Sequence, residues 1–60
     1  MFEEYRDVLS IKDVADALNI KPYRVYRLIE EKKIKRLNIG KPYLIPKTEL
    51  IRFVRDSVLV

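Results

Sequence analysis

The chain has 60 residues, 48% of them apolar, and a formal net charge of +4. A chain this short makes one domain, expected over residues 1–60, and such a domain buries only about 60% of its unfolded surface. It contains no cysteine and no histidine, which excludes disulfides, cysteine-based zinc sites and imidazole acid–base chemistry or ligation, so no metal and no cofactor is expected.

The apolar fraction suits a globular fold and argues against disorder. No apolar run approaches the ~18 residues of a membrane span. The acidic opening, Met1-Phe2-Glu3-Glu4, is wrong for a secretory signal, so a cytoplasmic protein with no membrane partner is expected. The charge is unevenly spread. Residues 1–20 hold two basic groups against five acids, residues 21–41 hold eight against two, and residues 42–60 hold three against two. A basic block of that density is the footprint expected of a surface that meets a polyanion.

Along the chain, residues 2–9 read equally as a short helical stripe or as an extended arm, with Phe2 and Tyr5 as core or staple residues. A first helix is predicted from Ser10 to Asn19. Ile11, Val14, Ala15 and Leu18 fall on one face. Ser10 can cap the first turn, Asp13 stands at the capping-box position, and Asn19 tolerates the left-handed conformation that ends a helix. A second helix is predicted from Pro22 to Lys32, since proline suits the first helical position. Val25, Leu28 and Ile29 make its inner face; Tyr23, Arg24, Arg27 and Glu31 lie opposite, with Tyr26 between. Only Asn19-Ile20-Lys21 separates the two, the spacing of a helix-turn-helix, whose second helix enters a DNA major groove.

Lys35-Arg36-Leu37-Asn38-Ile39 alternates, with Leu37 and Ile39 on one face, and Pro42-Tyr43-Leu44-Ile45 resumes an apolar run after Gly40-Lys41. This predicts a β-hairpin turning at the only glycine. Pro46-Lys47-Thr48 introduces a third helix with Leu50, Phe53, Val54 and Val58 inward and Arg52, Arg55 and Asp56 outward. The apolar tail, Val58-Leu59-Val60, offers a route to self-association. The expected fold is therefore mainly α with a small β-hairpin: a winged helix-turn-helix with a two-stranded wing and a C-terminal helix.

The residues resemble the excisionase-like DNA-binding domains, relatives of the mercury-resistance regulators. Leu9 to Ile20 resembles the opening of those domains, Val25 to Ile34 their second helix, and Asn38 to Leu50 their wing and the start of their last helix. The resemblance spans roughly residues 9–56. It implies binding of double-stranded DNA without chemistry, as a small transcriptional regulator or an excisionase-type architectural factor, associated with the nucleoid. By position it puts Lys21, Tyr23, Arg24 and Arg27 toward the groove, Tyr26 at a phosphate, and Lys41 and Tyr43 at the wing tip; Arg36 is a further phosphate candidate. Lys21 stands where relatives carry a capping serine or threonine, so two N–H groups there are expected to be open to a phosphate. A homodimer, or a recombinase or transcription partner, would supply the specificity that one small module lacks.

Rival readings are a protein-interaction winged helix and a DNA-binding fragment of a larger regulator. RNA binding is disfavoured because no aromatic stacking platform is evident. Enzyme chemistry has no support: Asp13 and Asp16 are a helical turn apart but suit the exposed face of the first helix, and so small a domain has no room for a sizeable pocket.

Overall fold

The computed structural model describes residues 2–58. The order of elements is β1 (Val8–Ser10), α1 (Ile11–Leu18), α2 (Pro22–Glu30), β2 (Leu44–Pro46) and α3 (Lys47–Ser57). This is a mainly helical domain with one two-stranded antiparallel sheet, the winged helix-turn-helix architecture expected.

Both ends of α1 are written in its residues. The Ser10 hydroxyl accepts from the Asp13 N–H at 3.1 Å and the Asp13 carboxylate accepts from the Ser10 N–H at 3.2 Å. That reciprocal pair is a capping box. At the other end Asn19 adopts φ 57°, ψ 46°. Its N–H donates to Asp16 O at 3.2 Å and the Ile20 N–H to Ala15 O at 3.0 Å, the paired bonds of a Schellman stop. The chain then reverses over Asn19–Lys21 and enters α2 at Pro22.

Helix α2 stops at Glu30, two residues short of the Lys32 predicted. The reason is a second stop of the same kind. Lys32 takes φ 61°, its N–H bonds Ile29 O at 3.0 Å, and the Lys33 N–H bonds Leu28 O at 2.9 Å.

The sheet differs from the predicted hairpin. β2 pairs with β1, in the register Val8↔Pro46, Leu9↔Ile45, Ser10↔Leu44, and not with Lys35–Ile39. Leu9 and Ile45 are both fully buried, and placing them opposite each other seals the core. The 2–9 segment is neither a helical stripe nor extended throughout: Val8–Ser10 is strand, while the Tyr5 N–H bonds Phe2 O at 3.0 Å to close a turn. Phe2 and Tyr5 pack on the core, and the Lys47 N–H donates to Asp7 O at 2.7 Å. The segment from Lys35 to Tyr43 remains a wing, but a looped one. A single backbone bond closes it, Leu37 N–H to Leu44 O at 2.8 Å. Leu37 is half-buried and Ile39 is exposed, so the shared apolar face expected of them does not form.

The core consists of Leu9, Ile11, Val14, Ala15, Val25, Ile34, Ile45 and Leu50. Leu18, Leu28, Ile29, Phe53 and Val54 pack around it half-buried. Ile34, just ahead of the alternating segment, is fully buried. Val58 is 60% exposed and is not part of the α3 stripe. Leu59 and Val60, the rest of the apolar tail, lie outside the described residues. Among the described residues no helix is long and apolar enough to cross a membrane, and no cluster of carboxylates is arranged to hold a metal ion.

Candidate nucleic-acid interface

Helix α2 is packed on one side only. Val25 is buried and Leu28 and Ile29 are half-buried, while Tyr23, Arg24, Tyr26, Arg27 and Glu30 are exposed. At a hundred degrees per residue, Tyr23, Arg27 and Glu30 run down the middle of the outer face, Arg24 lies toward one flank and Tyr26 toward the other. The helix has nine residues, about 13 Å at 1.5 Å per residue. Its diameter with side chains, about 10–12 Å, suits a major groove about 12 Å wide.

Lys21, Tyr23 and Arg24 line one open hollow with Asn19 and Ile20. Tyr23 is 66% exposed. Among the described residues, neither Lys21 nor Arg24 has a side-chain ion pair. Arg27 has a weak one: its Nε lies 4.0 Å from Glu31 Oε2 and its side chain is 75% exposed. Exposed i,i+4 pairs contribute about 0.3–0.5 kcal/mol, so a stronger anion displaces Glu31 easily. Glu31 also holds Lys33 at 3.4 Å, which further loosens its claim on Arg27.

Lys21 makes no side-chain cap at the start of α2, as expected. Only one of the two N–H groups anticipated there remains open, however. The Arg24 N–H bonds back to Lys21 O at 2.9 Å, which leaves that of Tyr23.

The wing is tied to the other flank of α2 by aromatic contact. The Tyr26 and Tyr43 rings are 5.7 Å apart, centre to centre. The Arg36 guanidinium lies over the Tyr43 ring at 4.4 Å, and its Nη1 donates to Leu37 O at 3.3 Å. Aromatic pairs and cation–π contacts each contribute about 0.5–1 kcal/mol at exposed positions. Together they hold the wing beside α2. Tyr43 is therefore a half-buried strut at the root of the wing, not a tip residue as expected. Lys41 does stand at the tip, exposed. With Pro42, Tyr43, Tyr26 and Ile11 it lines a cleft between the wing, α2 and the start of α1.

The eight candidates thus form two groups. Lys21, Tyr23, Arg24 and Arg27 share the turn and outer face of α2, while Tyr26, Tyr43 and Arg36 are in contact through Tyr43, beside Lys41. Sequence reasoning missed the brace behind the wing. Arg52 Nη2 donates to Lys33 O at 3.1 Å and to Glu49 Oε1 at 3.0 Å, and Glu49 Oε1 accepts the Lys35 N–H at 3.0 Å. Arg52 Nη1 also reaches Asp56 Oδ2 at 3.0 Å. The i,i+3 and i,i+4 spacing of Glu49, Arg52 and Asp56 signalled the helix-surface pairs; nothing local signalled their reach to Lys33 and Lys35.

Residues 8–57 match the model of a family described as "Helix-turn-helix domain". No curated protein and no solved structure matches the chain.

Proposed function

Because the chain belongs to the helix-turn-helix domain family, we propose that it binds double-stranded DNA with α2 in the major groove and the Lys35–Tyr43 wing at the neighbouring backbone and minor groove. The observation that carries this reading is the outer face of α2. Lys21 and Arg24 there are without internal partners among the described residues, and Arg27 is held only by a weak, exposed pair. An arginine fork matches the O6 and N7 of guanine, and the N-terminal half of a reading helix is where such contacts are made. Tyr23 is placed to meet a phosphate, a sugar or a thymine methyl. Lys41 contacts phosphate from the wing, and Tyr26, Tyr43 and Arg36 act mainly by fixing the wing's position. The protein serves as a small transcriptional regulator or an excisionase-type architectural factor, with a second copy or a recombinase or transcription partner adding specificity.

Binding to duplex DNA measured over a range of salt tests this. The logarithm of the binding constant should fall with the logarithm of salt by about 0.9 per phosphate neutralised, with about 4–6 contacts expected. Arg24→Ala and Arg27→Ala should each cost about 1–3 kcal/mol, roughly tenfold to hundredfold in Kd. Arg6→Ala, on the arm outside the proposed footprint, should change little. Unaltered binding in both α2 variants rejects the reading.

A further inference from the structure

Resting on that reading of α2, we propose that Ile39 is an apolar wedge which the wing inserts into the minor groove, opening one base step and bending the DNA beside the α2 site.

The wing tip, Asn38-Ile39-Gly40-Lys41-Pro42, is five consecutive exposed residues. Ile39 is 64% exposed and belongs neither to the core nor to the apolar residues packed against it. Its partner in the expected pattern, Leu37, turns inward, and the Leu37–Leu44 bond closes the wing below it. Gly40 follows with φ +86°, a value that favours glycine, and a side chain placed there would meet nothing within 4 Å. Ile39 and Gly40 therefore stand clear of the domain, between Asn38 and Lys41, which line hollows against its body.

Apolar side chains scattered singly over a surface need no function. The position of this one sets it apart. It sits on the wing, which the proposed mode already brings to DNA. Lys41 and Asn38 flank it, and both residue types suit the electronegative, hydrogen-bond-accepting floor of a minor groove. Isoleucine is among the side chains that unstack base steps from that side. The tip's root is also held: Arg36 lies over the Tyr43 ring, and the Tyr43 ring meets that of Tyr26 at a 55° tilt, so the wing can transmit force against the stack of bases. Pyrimidine–purine steps unstack most readily, and the wedge is expected to select one at a fixed distance from the bases that α2 reads.

The test uses the whole chain and a duplex recovered with it from a random pool, carrying a donor dye at one end and an acceptor at the other. Wild-type binding should shorten the end-to-end distance by the amount of a bend of about 20–90°. Ile39→Ser should bind within about tenfold of wild type, because a duplex that is no longer unstacked offsets the missing apolar insertion, and should leave the duplex straight. Ile39→Leu should restore the bend. Thermal midpoints of all three should agree, since Ile39 lies outside the core. A straight duplex with wild type, or an equal bend with Ile39→Ser, overturns the wedge. So does an intact bend accompanied by loss of self-association in Ile39→Ser, which would make the side chain a contact between copies. Arg24→Ala run alongside keeps the two ideas apart: undiminished affinity there rejects the α2 placement, whereas an unchanged bend in Ile39→Ser rejects the wedge alone.

Discussion

Lys32 holds a left-handed conformation at φ 61°, where a Cβ crowds the following carbonyl and glycine is the favoured residue. The Schellman bonds from Lys32 and Lys33 impose it, because they satisfy carbonyls at the end of α2 that would otherwise be unpaired. Lys32→Gly should therefore raise the unfolding free energy by about 1 kcal/mol, seen as a higher urea midpoint with an unchanged slope. Asn19 meets the same demand at φ 57° with a residue that tolerates it. This is why the end of α1 is legible in the sequence and that of α2 is not. A lysine carries no signal for a left-handed turn.

Between elements, the bond that Arg52 donates to Lys33 O and the one that the Lys35 N–H donates to Glu49 fasten the start of the wing to α3. Glu49's carboxyl is held below its ordinary value of 4.5 chiefly by its hydrogen bonds to Arg52, then by the Lys35 N–H, with burial opposing. A lowered folded-state value means that the unfolded chain binds the proton more readily. The carboxylate's contribution is then complete above pH 4.5 and is lost as pH falls below it. Urea midpoints measured between about pH 3 and pH 6 should decline on the acid side, and Glu49→Gln should flatten that decline. The same brace explains how a looped wing, closed by one backbone bond, keeps a defined place beside α2.

Across the molecule, eight residues carry the core, and Ile34 among them is fully buried with no regular element of its own. It follows directly on the Schellman stop of α2 and joins the buried cluster that also holds Val25 of that helix and Ile45 of the sheet. Truncating a buried isoleucine to alanine costs about 2–5 kcal/mol. A domain of 60 residues stabilised by about 0.05–0.15 kcal/mol per residue has about 3–9 kcal/mol in total. Ile34→Ala should accordingly remove a large share of the stability, seen as a sharply lower urea midpoint followed by helical circular dichroism.

The helix-turn-helix, the caps of α1 and the cationic outer face of α2 could be read from the residues, because each depends on contacts within a few positions: Ser10 with Asp13, the apolar repeat of α1, Pro22 at a helix start, Arg24 and Arg27 opposite Val25. The strand partner of Leu44–Pro46 could not. Alternation in Lys35–Ile39 suggested a near neighbour, but the pairing went to Val8–Ser10, on the far side of two helices, because only that register lays Leu9 against Ile45 and closes the core. The wing's aromatic strut, its brace from α3 and the bare isoleucine at its tip follow from that choice. Short-range periodicity records which way a side chain wants to face; which distant segment covers it depends on burying all the apolar faces at once.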